Sequence, residues 1–291
     1  MDLHVLSGLA VQASIFLIVF SLGLDATLED AAYLLKRPGF LLRSVAAISI
    51  IVPAFATLVA AALPLTPVVK LGIVLMAVSP VPPALPGKQL KLGGRKSYVY
   101  GLLVAVSLLS IVIVPLTMSL LSAAFGADVK ISPGAVARVI LGSVVLPLAI
   151  GMIIRRIAPS LAQRAAPLVS KLAGLLLIVG VLPILIGVAP AMWRLVGNGT
   201  VLAIMAVVIV GLLAGHYLGG PDPRDRATLA ISSAMRHPGI ALLIAGANVA
   251  DPEIAAAILL FLIVALVVTL PYQMWSKRRY AMPAGVAGDA D

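Results

Sequence analysis

Long apolar stretches alternate with short clusters of charge, proline and glycine along almost the whole chain. A helix needs about 20 mostly apolar residues to cross the hydrocarbon core of a bilayer. Nine stretches meet this requirement, at residues 5–24, 39–62, 68–90, 97–124, 133–156, 167–190, 200–219, 227–249 and 253–275. The pattern predicts an all-α polytopic membrane protein with about nine transmembrane helices, followed by a disordered tail at 282–291.

The composition agrees with this prediction. Hydrophobic residues make up 62% of the 291 residues, the mean hydropathy is +1.15, and only 11% of the residues are charged. The absence of cysteine excludes disulfides, thiolate metal sites and thiol catalysis. The net charge of +10 comes largely from clusters between the apolar stretches, where membrane topology explains it without a nucleic-acid partner.

The distribution of lysine and arginine predicts the orientation of the chain. With the N-terminus outside, the loops assigned to the cytoplasm hold most of the basic residues, among them Lys36, Arg37, Arg95, Lys96 and Arg278. The opposite face holds few, which is the asymmetry expected of an integral membrane protein. We therefore expect the C-terminus in the cytoplasm, and the compact chain favours a bacterial inner membrane.

Prolines interrupt the third predicted span. Residues 72–86 include Pro80, Pro82, Pro83 and Pro86, and each interior proline costs an ordinary helix about 3 kcal/mol or more. Non-helical backbone at membrane depth is tolerated only inside protein or along a polar cavity, so the break is a candidate site.

The eighth predicted span has a second break, at residues 235–239. It contains Arg236, His237, Pro238 and Gly239 within an otherwise apolar stretch. A charge near the middle of a transmembrane helix costs roughly 3 kcal/mol on insertion scales, which makes a functional role the first hypothesis for Arg236.

Five spans separate the two breaks, so one enters from each side of the membrane and the two halves have inverted topology. Paired interruptions in opposed repeats indicate the substrate site of a transporter near the bilayer midplane. The predicted substrate-binding residues flank the breaks and are Ser79, Pro80, Pro82, Pro83, Lys88, Ser232, Ser233, Arg236, His237 and Pro238. No catalytic or metal-binding set is predicted.

Several of these residues have a second interpretation. Arg236 either contacts an anion or ties half-helix carbonyls together, and Lys88 either faces the site or snorkels to the membrane edge. His237 is either a proton carrier, given its reference pKa of about 6.5, or a hydrogen-bonded core histidine. The serines either contact substrate or cap half-helices.

Four stretches resemble the bile acid:sodium symporter family. They are 22–30 with 36–38, the Ser79-Pro80-Val81-Pro82-Pro83 motif, 101–115, and 226–231 running into 236–239. The resemblance implies two inverted repeats with two crossing broken helices, in the nine-helix form. It further implies a panel domain at 1–32 and 133–190 and a core domain at 38–124 and 200–276.

The chain departs from that family at the sodium sites. In sodium-coupled members the first crossing motif continues into Ser-Asn, where this chain has Leu85 and Pro86. The second crossing helix of those members presents a Glu and a Gln, which align with Ser232 and Arg236. Sodium coupling is therefore not expected, no cofactor is predicted, and Arg236, with Lys88, is expected to supply the positive charge for an anion.

The leading functional hypothesis is a secondary carrier that moves a small organic anion by alternating access. Arsenite exporters share the implied fold but are expected to use a cysteine, which this chain lacks. A membrane enzyme would need a convergent catalytic set that the spans do not offer. A non-transporting sensor or receptor for an organic anion remains the alternative, and substrate flux separates it from a carrier.

Overall fold

The computed structural model describes residues 3–125, 131–248, 251 and 253–280, and the predicted disordered tail lies outside these residues. Within them the chain is helical and has no strand, which confirms the predicted all-α membrane fold. The helices are α1 Leu3–Gly23, α2 Leu28–Ala32, α3 Pro38–Val45, α4 Val52–Ala62, α5 Pro67–Val78, α6 Leu85–Lys91, α7 Lys96–Phe125, α8 Pro133–Ile140, α9 Leu146–Ile157, α10 Pro159–Leu195, α11 Thr200–Leu218, α12 Pro223–Ala234, α13 Pro238–Asn248 and α14 Glu253–Tyr280.

Eight candidate membrane spans are found in the described part of the chain, counting α3 with α4, α8 with α9 and α12 with α13 as continuous stretches. The third predicted span, at 68–90, is divided into α5 and α6, neither of which is long enough to cross alone. The predicted count of nine is therefore not reached by length and composition. The four prolines at 80–86 predict an interruption of the third span, and the structure has the break there.

One predicted boundary is wrong by eight residues. The sixth span was expected to begin at Pro167, but α10 begins at Pro159 and continues through Pro167, Pro183 and Pro190. At 1.5 Å per residue this helix is about 55 Å long, far longer than a bilayer core. Hydropathy marks where a helix becomes apolar, whereas α10 begins earlier, in a polar segment containing Arg164.

Two spans continue through an interior proline because a short π-helical segment precedes it. Residues Ala46–Ile51 join α3 to α4 just before Pro53, and Leu141–Val145 join α8 to α9 just before Pro147. A π-helical turn relieves the helix ladder where the proline lacks an N–H. Both spans therefore continue, unlike the span with four prolines.

Helices α1, α9 and α10 pack closely through glycine. A Cβ added at Gly23 would lie 2.4 Å from the Leu148 carbonyl oxygen of α9, and one added at Gly180 would lie 2.9 Å from Val11 of α1. These three helices carry most of the predicted panel. The division into panel and core remains a prediction.

A stripe of three glycines lets α12 pack closely against α11. Added Cβ atoms at Gly211, Gly215 and Gly219 would lie 2.7, 2.4 and 2.4 Å from backbone atoms of Ser233, Ala230 and Arg226. Glycines four residues apart share one helix face, and their lack of side chains lets two backbones approach. The stripe fixes the position of α12, the helix that leads into the second break.

We expect Gly215→Ala to destabilise the protein, because the new methyl group meets the backbone of α12 and not a movable side chain. The free energy of unfolding should fall by about 1–3 kcal/mol, the usual range for overpacking. Thermal unfolding of the purified protein in detergent measures this change.

Gly174→Ala is the matched control. An added Cβ there meets nothing within 4 Å. The same substitution inside an unobstructed helix should raise stability by up to about 1 kcal/mol. Equal effects of the two substitutions would contradict the proposed role of the stripe.

Candidate functional site

The two broken helices meet at their interruptions. Helix α5 ends at Val78 and the chain runs extended at Ser79 (φ −67°, ψ 145°); α12 ends at Ala234 and the chain runs extended at Met235 (φ −95°, ψ 134°). The His237 N–H donates to the Pro80 carbonyl oxygen over 2.8 Å. A backbone hydrogen bond therefore joins the breaks, although more than 150 residues separate them in sequence.

Arg236 adds a second link between the breaks. Its Nη1 donates to the Ser79 carbonyl oxygen over 3.3 Å, and its side chain is only 1% exposed. The expected tie to a half-helix carbonyl is thus present. It is long for an N–H···O bond and uses one of the three guanidinium nitrogens.

The other two nitrogens of Arg236, Nε and Nη2, are buried and have no hydrogen-bond partner among the described residues. None of the ion pairs in that part of the chain involves Arg236. Nε and Nη2 carry parallel N–H bonds on one edge of the guanidinium, the edge that binds a carboxylate or phosphate with two hydrogen bonds. The geometry leaves that edge available to an anion.

His237 lies beside Arg236 with its orientation set by its own helix. The Gly239 N–H, in the first turn of α13, donates to His237 Nδ1 over 3.1 Å. An Nδ1 that accepts a hydrogen bond carries no proton, so the imidazole is neutral with its hydrogen on Nε2. Nε2 is also buried without a partner among the described residues, and it adds a third free donor near the breaks.

The three predicted serines differ in their hydrogen bonding. The Ser79 hydroxyl donates to the Leu75 carbonyl oxygen over 2.8 Å and so caps its own helix. The Ser232 hydroxyl accepts from Gln89 Nε2 over 2.7 Å, while the fully buried Ser233 hydroxyl has no partner among the described residues. Ser233 is thus the one of the three whose hydroxyl makes no hydrogen bond among the described residues.

The remaining predicted residues differ in burial. Pro80 and Pro83 are buried, whereas Pro82, Pro238 and Lys88 are half-buried. Among the described residues, no hydrogen bond or ion pair joins Lys88 to the second break. Hydrogen bonds therefore link Arg236 and His237 to Ser79 and Pro80, and none of the described ones includes Lys88 in this set.

Gln89 is a site residue that the sequence did not predict. Its side chain is 2% exposed and donates through Nε2 to the Ser232 hydroxyl and to the Thr228 carbonyl oxygen. It links α6 to α12, so each half of the chain contributes to the same buried polar contact. The sequence feature that could have identified Gln89 is an amide side chain at the end of an apolar span. Its neighbours Lys88 and Lys91 instead suggest a basic loop.

Asp25 forms a further polar cluster where α1 ends. Its carboxylate accepts hydrogen bonds from Lys96 Nζ over 2.8 Å and from Tyr100 Oη over 2.9 Å, and Arg155 Nη1 lies 3.9 Å away. Asp25 is close in sequence to Lys36 and Arg37, but its partners come from α7 and α9. Asp25 therefore joins the α1–α9 pair to α7.

A second ion pair anchors the start of α12. Arg95 forms a hydrogen-bonded ion pair with Asp225, whose side chain is fully buried. The sequence placed Asp225 in a loop, yet it lies in the first turn of α12. The pair joins the segment before α7 to the second broken helix.

A comparison with curated proteins gives no match to this chain. The model of the sodium bile acid symporter family matches residues 13–195, which is more than half of the 291 residues. The match covers the first broken helix and the Asp25 cluster. The chain therefore belongs to the sodium bile acid symporter family.

Proposed function

We propose that this protein is a secondary active transporter that moves a small organic anion by alternating access, with Arg236 as the fixed cation and without the usual sodium sites. Membership of a symporter family supports the general function. The observation that carries the choice of substrate is the buried guanidinium, with a free bidentate edge at the meeting point of two broken helices.

Burial makes Arg236 selective for an anion. A buried charge is strongly destabilising unless it is paired and hydrogen-bonded, and the described residues supply only the Ser79 carbonyl oxygen. A carboxylate bound to Nε and Nη2 would neutralise the charge and satisfy both donors. His237 Nε2, on the next residue, and the Ser233 hydroxyl, three residues before Arg236, are further buried donors without partners among the described residues.

At the positions where the family resemblance places sodium ligands, this chain has a side chain that is hydrogen-bonded within the protein, or a side chain without oxygen. Ser232 aligns with the carboxylate of sodium-coupled members, and its hydroxyl is occupied by Gln89. Leu85 and Pro86 offer no side-chain oxygen. We infer that the Gln89–Ser232 bond and the Arg236 charge do the work that sodium does in other members.

Access to Arg236 requires movement. Ser79, Arg236 and Ser233 are all buried, so substrate reaches the guanidinium only when the helices around it separate. The Asp25 cluster spans the proposed boundary, because α1 and α9 belong to the proposed panel and α7 to the proposed core. We propose that this cluster opens when the core rocks against the panel.

Arg236→Gln should abolish anion transport while leaving the protein folded. Hydrogen bonds to a charged group contribute about 1.5–3 kcal/mol, so we expect anion affinity to fall by roughly 10- to 100-fold. The melting temperature without anion should not fall, since the substitution removes an uncompensated buried charge. Thermal shift against a panel of organic anions, and uptake into proteoliposomes, measure the two effects.

Arg194→Gln is the matched control, because Arg194 is an exposed cation paired with Glu253. It should leave both affinity and uptake unchanged. Anion binding that survives in Arg236→Gln would refute the proposed role of the guanidinium. Binding without uptake in the unaltered protein would instead indicate a receptor.

Transport should not require sodium. Replacing sodium by N-methylglucamine on both sides of the proteoliposome membrane leaves the potential unchanged and removes any sodium gradient. We expect the same initial uptake rate, because the aligned sodium positions carry Leu85, Pro86 and Arg236. Uptake that stops in the absence of sodium would disprove this part of the proposal.

Asp25→Asn should favour the state in which α1 and α7 are separated. Since the chain has no cysteine, Gly87→Cys provides a single reporter on α6, where an added Cβ would lie 3.9 Å from Leu22 of α1. Partly exposed ion pairs contribute about 1 kcal/mol or less, so labelling by a hydrophilic maleimide should accelerate by up to about fivefold.

Glu29→Gln serves as the control for this experiment. Glu29 is an exposed carboxylate in the same segment, and no ion pair of the described residues includes it. Its neutralisation should not change the labelling rate at residue 87. Equal acceleration by both substitutions would show a general effect of charge and not a specific role of the Asp25 cluster.

A further inference from the structure

A cavity of about 640 Å³ lies between α4, α5 and α7, away from the breaks. Each helix contributes one face, with residues three or four positions apart: Thr57, Ala60 and Ala61 from α4, Lys70 and Val74 from α5, and Met118 and Leu121 from α7. Its volume falls within the range of roughly 300–1,000 Å³ that is typical of ligand pockets. None of its lining residues belongs to the anion site described above.

Three polar side chains, Lys70, Thr57 and Ser122, line the otherwise apolar cavity. Lys70 is the single charged residue among the described lining residues, and no carboxylate within the described ranges pairs with it. The Thr57 hydroxyl is buried and has no hydrogen-bond partner there. A ligand that fits this cavity has a long apolar part and a negative group for Lys70.

The depth of Lys70 distinguishes a lipid from a soluble anion. Nine residues of α5 separate Lys70 from Ser79 at the crossing, a rise of about 14 Å. Half of the hydrocarbon core is about 15 Å thick, so with the crossing at the midplane the ammonium lies at headgroup depth. Val74 and Met118 lie deeper, at the level of the acyl chains.

We propose that this cavity binds an anionic membrane lipid, with its phosphate on Lys70 and an acyl chain between α4, α5 and α7. The side chain of Lys70 extends toward the interface, as basic side chains near helix ends do. The site is independent of Arg236 and of the transported substrate.

Native mass spectrometry of the delipidated full chain tests the proposal. The probes are phosphatidylglycerol and phosphatidylcholine with identical acyl chains. A basic residue near an anionic membrane surface contributes about 1 kcal/mol, so Lys70→Gln should weaken phosphatidylglycerol binding by about fivefold and leave phosphatidylcholine binding unchanged. Arg138→Gln, which neutralises an exposed cation of α8 outside the cavity, should change neither.

A second variant tests the cavity itself. Ala61→Trp fills the space from an exposed position on α4, and it should weaken the binding of both lipids at this site while the protein stays monodisperse. Unchanged phosphatidylglycerol binding in Lys70→Gln, or an equal loss in Arg138→Gln, would overturn the proposal. So would Lys70-dependent binding of octanoate in place of phosphatidylglycerol, or a change of oligomeric state caused by Ala61→Trp.

Discussion

The burial of the Arg236 charge is the constraint on which the rest of the site depends. A guanidinium at membrane depth is tolerated only where backbone or bound groups satisfy it, and the break in α5 supplies the Ser79 carbonyl oxygen for this purpose. Without the prolines after Ser79, a helical turn would use that carbonyl. The unusual sequence of the first break and the unusual residue of the second are therefore two parts of one arrangement.

The position of the guanidinium depends in turn on how α12 is fixed. The glycine stripe of α11 sets its distance, the bond from Gln89 to Ser232 sets its rotation against α6, and the buried pair of Arg95 with Asp225 holds its first turn. The last two contacts join parts of the chain that are more than 100 residues apart in sequence. Arg236 has no carboxylate partner among the described residues, and packing, a neutral hydrogen bond and an ion pair on α12 hold it in place.

The sequence predicts the features that depend on local composition. Apolar runs predict the helices, the prolines after Ser79 predict the first break, and Arg236 within an apolar run predicts the second. Contacts between distant segments leave no such local signal. Gln89 looks like part of a basic loop, and the partners of Asp25 come from helices that sequence alone does not place beside it. The early start of α10 is missed for a different reason, because hydropathy detects membrane burial and not helicity.

A fixed cation has a different consequence for transport from a mobile one. In a sodium-coupled carrier both the ion and the substrate leave, so the empty site returns without the added charge. On the mechanism proposed for this chain, Arg236 remains, and the site is neutral when loaded and positive when empty. Movement of the empty site then carries an uncompensated buried charge, whereas movement with a bound anion does not. The same guanidinium that selects an anion therefore favours exchange of one anion for another over net uptake.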